Sequence, residues 1–192
     1  MLTALDDTAL IEEIKENNNM AAFRALYYRY VDMVFALVSR LVGSSRLDVE
    51  DLVQEVFFQV HRSLATFEGN AGFRTWLHRV AVNVCMSQLR KRSTFAEVRD
   101  KNGAPERALS EDREARVDAR REIQQLYDLI DGMSPENRTV FTLYELQGFT
   151  LVEIAEILEV PLYTAASRLR RSREYLIREV VEKRRHAEGG AS

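Results

Sequence analysis

Apolar positions recur along the chain at steps of three and four residues, and the pattern reads as helices throughout. A short helix is predicted from about Thr8 to Asn18, and a long one from about Met20 to Val42, with Gly43 as its C-terminal stop. A third helix, 51 to 64, is announced by Asp48 as a cap, Asp51 three residues on, and Leu47 and Leu52 at the hydrophobic-staple positions. TFEGNAG, 66 to 72, reads as a loop. In FRTWLHRVAVNVCMSQLRKR, 73 to 92, Phe73, Leu77, Val80, Ala81 and Val84 form the stripe expected to face a core, while Trp76, Arg79, Asn83 and Arg90 share another face. Periodicity is lost from Ser93 to about Ala115, where Gly103 and Pro105 occur, and this stretch is expected to be an interdomain linker. Helices are then predicted near 116 to 131, 135 to 147, 150 to 158 and 162 to 184. Ser134 caps Pro135, and Thr150 with Glu153 forms a capping box flanked by Phe149 and Ile154.

Composition narrows this to an all-α chain: among 192 residues only 3 are Pro and 8 are Gly. That length holds one sizeable core or two small ones. Apolar runs such as MVFALV, 33 to 38, are too short to span a bilayer, and the acidic start MLTALDDTALIEE does not read as a signal peptide. A cytoplasmic protein without membrane insertion is expected. The single cysteine, Cys85, leaves no internal disulfide and no cysteine-based zinc site, and reads as a small core residue. His61, His78 and His186 have no metal-ligand spacing, and no phosphate-binding glycine loop or nucleophile motif is present. Neither a metal, a cofactor nor an enzyme is therefore expected, and His61 and His78 read as partly exposed helix residues.

Charge is segregated. Residues 1 to 60 carry 5 cations and 10 anions, 61 to 92 carry 6 and 1, 93 to 160 carry 8 and 15, and 161 to 192 carry 8 and 4. Two basic segments on a body of net charge −3 suggest two polyanion-facing surfaces; ordinary variation along solvated helix faces is the other reading.

The second basic segment contains TLVEIAEILEVPLYTAASRLRRSREYL, 150 to 176. Ile154 and Leu158 are expected inward, Ala155 lets a second helix cross closely, and Glu159-Val160-Pro161 breaks into a longer basic helix: a helix-turn-helix pattern. Ala165, Leu169, Ser172 and Leu176 would face the first helix, leaving Tyr163, Ser167, Arg170, Arg171 and Arg173 outward with Arg168 at the flank. Arginines so placed can read guanine or clamp phosphates. A plain helical hairpin, its arginines paired with Glu174, Glu179 and Glu182, fits the same spacing.

Asp51-Leu-Val-Gln-Glu-Val-Phe57, Phe73-Arg-Thr-Trp-Leu-His-Arg-Val-Ala-Val-Asn83 with Arg90 beyond, and Ser134-Pro-Glu-Asn-Arg138 before the helix-turn-helix together resemble bacterial sigma factors of the short, extracytoplasmic-function (ECF) group. The resemblance covers roughly residues 20 to 92 and 116 to 180. It implies a sigma-2-like domain, 1 to 92, a flexible linker, 93 to 115, a sigma-4-like domain, 116 to 184, and a disordered tail, 185 to 192. It further implies a protein that binds core RNA polymerase through the largest subunit's clamp coiled coil and the flap, and directs initiation at promoter DNA. Asp51, Leu52, Gln54, Glu55, Phe57 and Phe58 would meet the polymerase, with Val56 and Phe57 as the apolar anchor. Phe67, Asn70, Phe73, Trp76, Arg79, Asn83 and Arg90 would hold and melt the minus-ten element. Tyr163, Thr164, Ser167, Arg168, Arg170, Arg171 and Arg173 would read the minus-35 element. An anti-sigma factor is implied as a further partner.

The chain departs from the family pattern at Glu159, where glycine is usual in the turn, at Tyr163-Thr164, where glycine-threonine is usual, and at Ala165-Ala166. Other readings stand beside this one. Trp76 could be core rather than a base platform. A stand-alone helix-turn-helix regulator would account for 150 to 176, and an all-helical interaction protein would need no DNA.

Overall fold

The computed structural model describes residues 5–45, 47–69, 72–98 and 126–189, all helices, turns and short connections with no strand among them. The chain divides into two compact units, Met1–Lys91 and Arg92–Ser192.

The first unit contains α1 (Asp7–Asn17), α2 (Met20–Val42), α3 (Val49–Ser63) and most of α4 (Phe73–Val98). The starts of α1, α2 and α3 are each fixed by a side chain that satisfies orphan amides. Asp6 accepts from the Ala9 amide at 2.9 Å, Asn19 from Ala21 and Ala22, and Asp48 from Glu50 at 2.8 Å and Asp51 at 3.2 Å. Leu10, Leu26, Val34, Leu37, Val38, Leu41, Val56, Val60 and Leu77 form a core at 2 % exposure or less. Asp7 at the head of α1 is tied to α2 by Arg29, at 2.6 Å, and by the Tyr30 hydroxyl.

α4 corrects the expected stripe. Its buried residues are Phe73, Leu77, His78, Ala81, Val82 and Cys85, whereas Val80 and Val84 are half-buried. His78, expected to be partly exposed, is fully buried and its Nδ1 donates to the Arg74 carbonyl at 2.7 Å. That bond within the helix satisfies one polar atom of the ring, so the imidazole packs as a core group. His61 is exposed, its ring edge-on to Phe23. α4 also continues to Val98, past the start expected for the linker at Ser93: the sequence STFAEV has no helix breaker before Gly103, and loss of hydrophobic periodicity does not end a helix. The rest of the expected linker, and residues 116–125 of the next predicted helix, lie outside the described residues.

Cys85 is buried, as expected, and burial pushes its thiol up to about 12. The native protein should therefore resist iodoacetamide at pH 8 and be labelled at least 100-fold faster in urea, read by mass spectrometry. The neutral thiol is favoured in the core, so its contribution to stability holds below the ordinary value of 9.0 and is lost as pH rises from there through about 12.

The second unit comprises α5 (126–131), α6 (Pro135–Phe141), α7 (Leu151–Leu158) and α8 (Leu162–Gly189). Ser134 caps α6, and Thr150 and Glu153 close the capping box of α7. α6 does not run on regularly to 147; it gives way to a π-helical turn, Thr142–Leu146, with Thr142 and Leu143 buried. Ile154 and Ile157 are the inward residues of α7, with Leu158 half-buried. Ala165, Leu169 and Ser172 are buried on α8, Leu176 only half, and the Ser172 hydroxyl donates to the Asn137 carbonyl at 3.0 Å. α8 reaches Gly189, so most of the expected disordered tail, 185 to 192, is helix: Glu, Lys, Arg and Ala carry it to the first glycine.

Glu159 ends α7 with φ 52° and ψ 43°, the left-handed geometry that explains why glycine suits this turn. A side chain there costs about 1 kcal/mol, partly offset by the freedom glycine adds to the unfolded chain. Glu159→Gly should raise the urea midpoint of the second unit by about 0.5 to 1 kcal/mol equivalent.

Candidate nucleic-acid interfaces

The residues singled out above gather on three faces, on α4 and α3 of the first unit and on α8 of the second. On the first, Phe73 is buried at the start of α4 and its ring meets Tyr30 of α2 at 5.3 Å, Phe67 at 5.8 Å and Trp76 one turn on at 5.6 Å. Phe67 and Trp76 close the cluster at 5.2 Å, with planes tilted by 50°. Trp76 is half-buried, so it is both a packed group and a surface one. Arg79, Asn83 and Arg90 follow it along α4, all exposed. Three aromatic rings, with Phe67 and Trp76 half-buried at the surface, followed by an amide and cations, can stack a base and hold its backbone. Asn70 lies outside the described residues.

The Tyr30 hydroxyl beneath this cluster is pushed up to about 12, first by burial and then by its bond to Asp7. It stays protonated and can keep donating to that carboxylate.

On α3, Asp51, Gln54 and Phe58 are exposed and Glu55 is half-buried, accepting from Gln59 at 2.7 Å. Steps of three and four put them on one face. Leu52, Val56 and Phe57 are in the core, at 5 %, 0 % and 5 % exposure, so Leu52 and Phe57 cannot offer a surface and neither Val56 nor Phe57 is the expected anchor. The apolar group on that face is Phe58, 55 % exposed, with the Arg62 guanidinium 5.6 Å from its ring centre. Next to it a shallow groove of about 390 Å³ runs between α3 and α4, with Glu55, Gln59, Asn83 and Lys91 around Val80 and Val84.

On the second unit, α8 presents Tyr163 at 75 % exposure, then Thr164, Ser167 and Arg168 half-buried, and Arg170, Arg171 and Arg173 exposed. Two of these arginines already hold carboxylates. Arg170 meets Glu174 at 3.0 Å, and Arg173 donates through Nε and a terminal nitrogen to one Glu145 oxygen at 2.9 and 2.7 Å while lying 5.2 Å from the Tyr144 ring centre. The hydrogen bond to Glu145 raises the Arg173 guanidinium above its ordinary value. Tyr144 and Glu145 both lie in the π-helical turn. The contact of Arg173 with Glu145 spans 28 residues, and no local pattern signals it.

Among the described residues no group of His, Cys, Asp and Glu could hold a metal ion, and no helix is long and apolar enough to cross a membrane.

An all-α chain with a helix-turn-helix in one unit and an aromatic, basic helix face in the other has the build of a two-module transcription protein. Residues 26–95 match sigma-70 region 2 and residues 123–176 match sigma-70 region 4. The chain is 33 % identical to the ECF RNA polymerase sigma-E factor of Haemophilus influenzae, covering 92 % of this chain and 96 % of the relative. It is 34 % identical to the one of Escherichia coli strain K12, over 91 % and 94 %. The fold is shared with CnrH in complex with the cytosolic domain of CnrY, with TM-score 0.64 and 23 % identity over 92 % of this chain and 97 % of that one. It is shared too with the sigma factor RpoE in complex with the anti-sigma factor NepR from Bartonella quintana, with TM-score 0.67 and 22 % identity over 83 % and 96 %. The chain belongs to the ECF group of RNA polymerase sigma factors and directs promoter-specific transcription. A stand-alone regulator would leave the region 2 match without a use.

Proposed function

We propose that the first unit holds the non-template strand of the minus-ten element on Trp76, Phe67, Arg79, Asn83 and Arg90, and that the second reads the minus-35 element through α8. The observation that carries this is Trp76, half-buried against Phe67 and Phe73 and continuous along α4 with exposed Arg79 and Asn83. Taking a base out of the duplex stack costs a few kcal/mol. Stacking on an aromatic ring offsets about 1 to 3 kcal/mol per base, and the arginines hold the phosphates. Phe73 acts from beneath, as packing for Trp76.

Core polymerase docks on Asp51, Gln54, Glu55 and Phe58, where carboxylates ring one apolar side chain, and the clamp coiled coil and flap are its contact points. Tyr163, Thr164, Ser167, Arg168, Arg170, Arg171 and Arg173 form the minus-35 face. Tyr163 fills the space that glycine usually leaves for DNA backbone, which shifts the sequence read there. The protein works in the cytoplasm without chemistry of its own. An anti-sigma partner covers its polymerase-binding faces, a reading supported by the two similar folds being held in complexes with CnrY and NepR.

Permanganate probing of open complexes, formed with purified core polymerase on a cognate promoter selected from a randomised library, tests the assignment. Asn83→Ala and Arg79→Ala should each lower opening at least fivefold while binding core normally. Wild-type opening in both would remove the minus-ten assignment.

A further inference from the structure

We infer that α1 is a brace for the base-holding cluster, with Lys15 as a positioning residue for promoter opening. This rests on the role proposed for Trp76 and Phe67. α1 lies outside the region 2 match, which begins at residue 26.

The two ends of α1 each hold a part of the aromatic cluster. At its head, Asp7 accepts from the Tyr30 hydroxyl and pairs with Arg29 at 2.6 Å. Tyr30 carries that restraint directly to the cluster, since its ring stands against Phe73. At its tail, the Lys15 ammonium donates to the Phe67 carbonyl and lies 5.7 Å from the centre of the Phe67 ring. Between the ends, Leu10, Ile11 and Ile14 fix the helix on the core, so head and tail cannot shift independently.

The loop needs such a support. Phe67 leaves the short turn Leu64–Thr66 in an extended conformation, and Gly69 follows at φ 77°. The Phe67 amide closes that turn on the Leu64 carbonyl at 3.1 Å, and the Phe67 carbonyl is the one that Lys15 holds. Phe67 also forms one side of the Trp76 contact. Lys15 supplies a bond to the backbone of Phe67 and a cation over its ring, which together set where that ring stands before DNA arrives. A ring already in place spends less of its stacking energy on being ordered.

Lys15 is exposed and 52 residues from Phe67 in sequence, so its removal should leave the fold intact. In the full chain, Lys15→Met should reduce open complexes three- to tenfold by permanganate reactivity, with core affinity and duplex minus-35 binding within twofold of wild type. Emission from the sole tryptophan should shift in the free protein, and Lys15→Arg should restore both opening and emission. Wild-type opening by Lys15→Met would overturn the inference, as would a loss that Lys15→Arg does not rescue. If Asn83→Ala and Arg79→Ala open the promoter normally, the site assignment itself fails; if they are defective while Lys15→Met is not, only the brace fails.

Discussion

Arg138→Ala is expected to destabilise the second unit by about 3 kcal/mol, the cost typical of breaking a buried ion pair from one side. Arg138 is only 7 % exposed, and its guanidinium donates to the Asp131 carbonyl and to the Met133 carbonyl at 3.3 Å, with the Asp131 carboxylate 3.7 Å away. Burial lowers its pKa and Asp131 opposes that shift. One side chain therefore closes the end of α5 onto α6, and its removal leaves two inward carbonyls and a carboxylate without it. Urea unfolding followed by far-UV circular dichroism should show the loss, with Trp76 fluorescence as the comparison for the first unit. Asp131→Ala should cost less, because the carbonyl bonds to Arg138 remain.

Trp76→Ala is expected to have the largest effect on function. A lost stacking platform worth about 1 to 3 kcal/mol per base corresponds to a fall in promoter opening of about 5- to 150-fold. Trp76 also packs on Phe67 and Phe73, so part of the change could come through the fold. Trp76→Phe separates the two: it keeps an aromatic face and should recover most of the opening. Equal losses in both variants, accompanied by equal falls in thermal midpoint, would mark Trp76 as packing alone.

Much of the candidate site was readable from spacing. Trp76, Arg79, Asn83 and Arg90 share a helix face because 3.6 residues make a turn, and α4 presents them as that period requires. The caps at Asp48, Ser134 and Thr150 were equally local, each needing only a polar side chain two or three residues before an amide. What spacing could not rank was which of two adjacent apolar stripes on α4 packs. Val80 and Val84 look like better core than His78, yet the helix is rotated so that His78, Val82 and Cys85 are inside. The same ambiguity misplaced Phe57 as an anchor when Phe58, its neighbour, is the exposed ring.

From its sequence alone the chain was determined to be helical, with a helix-turn-helix pattern leading into a basic helix and an aromatic face on α4, since propensity, capping and periodicity act within a few residues. Only the tertiary structure decided that Lys15 reaches Phe67, that Glu145 and Tyr144 hold Arg173, and that Arg138 is buried against Asp131 and Met133. The first two of these pairings join residues 52 and 28 positions apart, and all depend on how helices rotate against one another. Rotation is set by the packing of whole faces, which no single stretch of sequence encodes.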